Sequence, residues 1–407
     1  MKKNDALPKE WRSVRLADAC EVIVSSVDKK TVDGELPVKL CNYTDVYYHN
    51  DIGCGIDFMA ATAKPLEIEK FSLVEGDVII TKDSETPDDI GVPSYVEETI
   101  DNLLCGYHLA ILRPNKQTIG KYVCYALTSP RVKYDFYRFA NGITRFGLTT
   151  ESYKKIKIPL PPLYEQKAIA SLLETWDTAI EKTEALIAAK EKQFKWLLKT
   201  LISDQQDNPE WRKVKLGQFG TFYKGRGIKK ADLVECGIPC LRYAEIYTKY
   251  DGVVNELSSS VSPDVATKAT PIQSGDIIFA ASGETAAEIG KAIAFVGCDP
   301  AVAGGDTVIF RDHGQEPAYL VHALNEVDAA RQKARLGKGQ SVVHIHVPEL
   351  FQVEVSLPPL HEQRKIVKIL ASWDTEIEKT KALAEQYRTQ KQGLMQKLLT
   401  GKWRIRN

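Results

Sequence analysis

From Leu173 onward the chain places seam positions at alternating steps of three and four: Leu173, Trp176, Ile180, Thr183, Ile187, Lys190, Phe194, Leu197 and Leu201. Most of them are apolar, and the spacing is the heptad rhythm of one long amphipathic helix. The same rhythm returns 197 residues later as Leu370, Trp373, Ile377, Thr380, Ala384, Tyr387, Lys391, Leu394 and Leu398. Helices with matching seams are expected to pair, here antiparallel. Leu173, Trp176, Ile180, Ile187 and Phe194 would meet Leu370, Trp373, Ile377, Tyr387 and Leu394. Pro161-Pro162 and Pro358-Pro359 cannot lie inside a helix, and Glu165 and Glu362 suit its positive end, so the helices should start near Tyr164 and His361. A helix from Glu165 to Ser203 would be roughly 58 Å long at about 1.5 Å per residue.

Around these helices the pattern changes to short buried runs. Gly76-Asp77-Val78-Ile79-Ile80 returns as Gly275-Asp276-Ile277-Ile278-Phe279, and both predict core strands. The run Val342-Val343-His344-Ile345-His346-Val347 alternates and predicts a strand with both imidazoles on one face. The repeat is strongest from Leu160 to Leu186 and from Leu357 to Leu383, where 17 of 27 positions are identical, too many for chance. Elsewhere only a framework recurs, such as Glu10-Trp11-Arg12 and Glu210-Trp211-Arg212. The fold class is therefore α+β. Two α/β domains, 1–158 and 205–355, alternate with helical regions, 159–204 and 356–407, in a pseudo-twofold internal repeat whose helices form an antiparallel coiled coil. Gly401-Lys402-Trp403-Arg404 echoes the Trp-Arg that opens each domain, so the chain ends are expected to lie together.

Composition narrows the chemistry. Lys and Arg number 54 against 54 Asp and Glu, so any nucleic-acid binding must come from local basic patches rather than net charge. No apolar run approaches the roughly 20 residues of a membrane span, and the start lacks the apolar core of a signal peptide, which points to the cytoplasm and no membrane partner. The eight cysteines are irregularly spaced and read as free thiols, and Cys236-x3-Cys240 has no second pair to complete a zinc site, so no metal is expected. Neither an Asn/Asp-Pro-Pro-Tyr methyltransferase motif nor a Walker A loop is present, which argues against an enzyme.

The stretch Pro159-Leu160-Pro161-Pro162-Leu163-Tyr164-Glu165-Gln166, leading into a long helix and repeated from Leu357 to Gln363 with Ser356 in place of the first proline, resembles the specificity subunit of a type I restriction-modification system. The resemblance covers the whole chain and implies two target recognition domains alternating with two helical regions. It implies that the chain binds double-stranded DNA, reading a bipartite, asymmetric site with one half per domain, while the helices set the gap. It also implies two modification (methyltransferase) subunits docked on the helices, with restriction (translocase and nuclease) subunits joining them. S-adenosylmethionine, ATP and Mg would sit on those partners, with no cofactor in this chain.

Candidate DNA contacts follow from side-chain chemistry. Arg131, Lys133 and Arg138 precede a Gly142 turn carrying Asn141, Thr144 and Arg145; Arg331, Lys333, Arg335 and Lys338 precede a Gly339 turn carrying Gln340 and Ser341. The cations suit phosphates, and the amides and hydroxyls suit base edges. Lys333 in particular is expected to contact phosphate. Asn42 opposite Arg242, Thr44 opposite Ala244, and Lys82-Asp83-Ser84 opposite Ala281-Ser282-Gly283 are further positions where the domains differ. Two alternatives remain open: a coiled-coil interaction scaffold without nucleic acid, and the specificity subunit of a methylation-only complex.

Overall fold

The computed structural model describes residues 7–28, 30–205, 208–339 and 341–405 of the 407-residue chain. The chain divides into two compact units, Met1–Thr183 with Leu383–Asn407 and Glu184–Ala382, so the division falls inside both long helices. In the first unit a five-stranded sheet runs in the order Cys20–Val24, Leu109–Pro114, Val78–Thr81, Pro93–Val96, Asp51–Ile52, antiparallel except at the last pair. Its central strand is buried at all four positions, which is why the sequence shows a continuous apolar run there instead of alternation. Val78 and Ile80 pack on the helices Gly120–Leu127 and Pro130–Phe139, while Ile79 joins the core of a three-stranded sheet, Met59–Ala63, Leu36–Cys41 and Leu103–Cys105.

The second unit repeats the first sheet as Thr221–Lys224, Thr307–Arg311, Ile277–Ala280, Ala292–Phe295, Val253–Val254, with the same order and strand senses. The Gly-Asp pairs found in the sequence are part of this framework. Gly76 and Gly275 turn at φ +93° and +97°, and Asp77 and Asp276 are buried. Each carboxylate accepts two bonds from one guanidinium: Arg113 at 2.9 and 2.8 Å, and Arg311 at 2.7 and 2.7 Å. A buried charge of this kind is tolerable because it is paired bidentately.

The long helices span Leu163–Leu201 and Leu360–Leu398, 39 residues each, starting within a residue of the expected points. Every seam position from Leu173 to Leu201 and from Leu370 to Leu398 is buried or half-buried, while most of the residues between are exposed. The repeated Glu-Gln that opens each helix is a joint. Gln166 accepts from the Ile119 N–H at 2.9 Å and donates to the Pro161 carbonyl at 2.8 Å; Gln363 accepts from the Glu316 N–H at 3.0 Å and donates to the Pro358 carbonyl at 2.8 Å. Trp11 donates its indole N–H to Glu165 at 2.9 Å, and Trp211 does so to Glu362 at 3.3 Å. Tyr122 and Tyr319 donate to the carbonyls of Pro159 and Ser356, so the loss of the first proline in the second copy leaves the acceptor in place.

One expectation needs correcting. The alternating Val342–Val347 run forms a strand only over Val343–His344, because Pro348 at the start of the helix Val347–Leu350 ends it, although the His344 and His346 rings do stack, 6.1 Å apart. The chain ends do meet: Arg404 donates to Glu10 at 2.7 Å and to Glu165 at 2.7 Å. Trp403, however, does not reproduce the Trp11 position; it is half-exposed under the Lys397 ammonium.

Candidate nucleic-acid interface

The same tight turn follows the same amphipathic helix in both units. Gly142 adopts φ +151° and a Cβ there would lie 1.9 Å from the Arg145 carbonyl oxygen; Gly339 adopts φ +128° with the Val342 carbonyl oxygen at 2.0 Å. No side chain fits either place. The preceding helix Pro130–Phe139 buries Val132 and Phe136 and leaves Arg131, Lys133 and Arg138 exposed. Its counterpart Val327–Leu336 buries Ala329 and Lys333 and exposes Arg331 and Arg335. Lys333 is thus not the surface phosphate contact expected from its residue type. Its ammonium donates to the Gly290 carbonyl at 2.6 Å, and burial pushes its pKa down to about 7.

On the turns, Asn141, Thr144, Arg145, Lys338 and Ser341 are exposed, while Gln340 lies outside the described residues. Arg145 donates to Asp83 at 3.1 Å, and Lys338 pairs with Glu349 at 2.6 Å. Both cations are therefore placed rather than free to sweep. Thr44 is exposed at the first turn of the helix Tyr43–Tyr48. Asn42, Ser84 and Ser282 are buried, which corrects their reading as surface contacts. Asn42 precedes the helix, its N–H donating to Asp45 at 2.7 Å, and Ser282 shares a 2.8 Å hydrogen bond with His344. Arg242 leans on Glu245 at 3.6 Å, and Lys82 donates to the Ser25 carbonyl at 3.0 Å with its ammonium over the Tyr107 ring, where burial lowers its pKa.

Each unit thus offers exposed cations beside a glycine-locked turn, with different polar groups on the two turns, an arrangement that can hold a polyanion and discriminate locally. Residues 8–190 and 208–386 each match the type I restriction modification DNA specificity domain. The chain belongs to this family. The type I restriction enzyme MjaVIII specificity subunit of Methanocaldococcus jannaschii is 26% identical over 424 residues, covering 98% of this chain and 95% of that protein. Among solved structures, the S subunit of the M. genitalium type I restriction-modification system covers 98% of both chains at TM-score 0.58 and 15% identity. The HsdS subunit of Thermoanaerobacter tengcongensis covers 99% of this chain and 100% of its own at TM-score 0.54 and 19% identity. The chain is a type I specificity subunit, and its two matched stretches fit two recognition domains.

Sequence reasoning passed over three residues near the specificity-domain turns. His108 gives Nδ1 to Asp83 at 2.8 Å, Tyr107 stands edge-on against His108 at 4.9 Å, and His344 meets Ser282. The available signal was the second residue after each Gly-Asp strand, Asp83 or Ser282, one position beyond Lys82 and Ala281. All eight cysteines are free thiols, five of them buried. Among the described residues there is no cluster of three metal-ligating side chains, and no helix is long and apolar enough to cross a membrane.

Proposed function

We propose that residues 1–158 read one half of a split, asymmetric double-stranded DNA site and residues 205–355 read the other, with the helical regions 159–204 and 356–407 as spacer. The observation that carries this reading is one framework built twice, down to the Gly142 and Gly339 turns, and dressed with different polar side chains at equivalent positions. A scaffold for a single partner would not need that divergence. The helices pair antiparallel along their seams. In support, Trp176 packs edge-on against Tyr387 at 5.7 Å and Asp177 pairs with Lys391 in the first unit, while Lys190 lies 3.5 Å from Glu376 and Glu191 3.1 Å from Lys381 in the second.

On this reading the chain does no chemistry. Two modification subunits carrying S-adenosylmethionine dock on the helices, restriction subunits using ATP and Mg join them, and the complex works in the cytoplasm. The test is genome-wide adenine-methylation mapping in a host expressing this chain with its modification subunit. A bipartite motif with a fixed gap is expected; a contiguous motif, or none, overturns the reading.

A further inference from the structure

The two units hold the same three-position niche at the end of the central sheet, and each fills it with a hydrogen-bonded histidine supplied from a different position. In the first unit the Lys82 N–H donates to the His108 carbonyl at 3.0 Å and the Lys82 carbonyl accepts from Leu148 at 2.8 Å. In the second the Ala281 N–H donates to Asp306 at 2.8 Å and the Ala281 carbonyl accepts from Ile345 at 2.9 Å. This shared backbone pattern makes 83, 108 and 147 equivalent to 282, 306 and 344, and strand register agrees, with Asp83 opposite Gly147 and Ser282 opposite His344. The first unit fills the three positions with Asp, His and Gly; the second fills them with Ser, Asp and His. In both, the first residue holds a histidine Nδ1 at 2.8 Å.

We propose that this niche is a base-reading position of each recognition domain, with His108 and His344 as specificity-determining residues and Asp83 and Ser282 as the positioning residues that hold them. The inference rests on the DNA-reading function above and names where in each domain a base is read. His344 is half-buried whereas its partner Ser282 is buried; His108 and Asp83 are both half-buried, and Asp83 is also tied to Arg145. A carboxylate only accepts, so Asp83 requires the hydrogen on Nδ1 and leaves Nε2 of the neutral ring as an acceptor, suited to the amino group of cytosine or adenine. A serine hydroxyl both donates and accepts, so His344 can present either polarity at Nε2. Equivalent niches with different hydrogen-bonding faces are what two unlike half-sites require. A hydrolytic Ser-His-Asp reading of positions 282, 344 and 306 fails, because the Ser282 hydroxyl is buried and meets Nδ1.

The test uses the full chain assembled with its modification subunits, read by methylation mapping in cells. His108→Ala is expected to relax one base pair of the first half-site, with discrimination there falling roughly tenfold, while the second half is unchanged. His344→Ala should do the converse, and Ser282→Ala should relax the same base pair as His344→Ala. Equal loss of methylation at all sites with an unchanged motif, for both histidine variants, overturns the niche while leaving the DNA-reading function standing. Absence of any bipartite motif with the unaltered chain overturns both. Should one variant fail to assemble, the histidine of the other unit gives the same decision on its own half-site.

Discussion

At the scale of single residues, position outweighs residue type. Lys333 looked like a phosphate contact because it is a lysine among arginines, yet it stands four residues after the buried Ala329, on the inward face of its helix. Its equivalent in the first copy is the buried Phe136, packed on Gly91 as Lys333 packs on Gly290. That periodicity was legible; the weight given to charge hid it. The burial of Asn42 and Ser282 was not legible, since each depends on strands and helices distant in sequence. Lys333 has a consequence for stability. Its folded pKa, about 7, lies below the ordinary lysine value near 10.4, so between those values the unfolded chain binds more protons and stability rises with pH. Below about pH 7 the buried ammonium carries its full penalty. Lys333→Met removes the charge at similar length and should therefore stabilise the chain at pH 6, by on the order of 3 kcal/mol. The gain should shrink as pH approaches 10. Thermal unfolding of both proteins across that range checks this, and a variant less stable than the parent at pH 6 would show that the bond to Gly290 outweighs the burial of charge.

Among the elements, the long helices were the most legible, because a three-and-four rhythm over nine seam positions admits few other structures. Their starts were legible from the prolines. The use made of Glu165, Gln166, Glu362 and Gln363 was not, since their partners Trp11, Ile119, Trp211 and Glu316 lie 47 or more residues away. These joints fix each α/β part on its helix, so a change in helix length should move the reading surfaces as bodies. Inserting one heptad into each helix, beside Thr183 and Thr380, preserves the seam phase and adds about 10 Å at 1.5 Å per residue. The gap in the methylated motif should lengthen by about three base pairs at 3.4 Å each, with both half-sites unchanged. An unchanged gap with full methylation would exclude the helices as the ruler.

For the molecule as a whole, the duplication separates what is held constant from what varies. The joints, the Gly-Asp turns with their arginines and the sheet order recur, whereas the second sheets differ: three strands in the first unit and five in the second, Leu233–Val234, Ser259–Val261, Ile238–Leu241, Ala301–Ala303 and Thr270–Ile272. A net charge of zero fits this division, because affinity must then come from local cations on each reading surface instead of a field over the whole chain. Each unit has its own buried cores, and each α/β part meets its helix through an antiparallel strand pair, Arg12–Arg15 with Lys157–Leu160 or Arg212–Lys215 with Glu354–Leu357, through its Glu-Gln joint, and through a shared apolar core that takes in Ile169 and Leu173 in the first unit and Ile366 and Leu370 in the second. A part attached through this repeated framework should be exchangeable. Replacing residues 205–355 with the matching segment of a relative, while keeping Glu362 and Gln363 to receive it, should change one half of the methylated motif and leave the other half and the gap intact. Methylation mapping of the exchanged chain with its own modification subunit reads all three at once, and an exchange that rewrote both halves would show that the two recognition domains do not read independently.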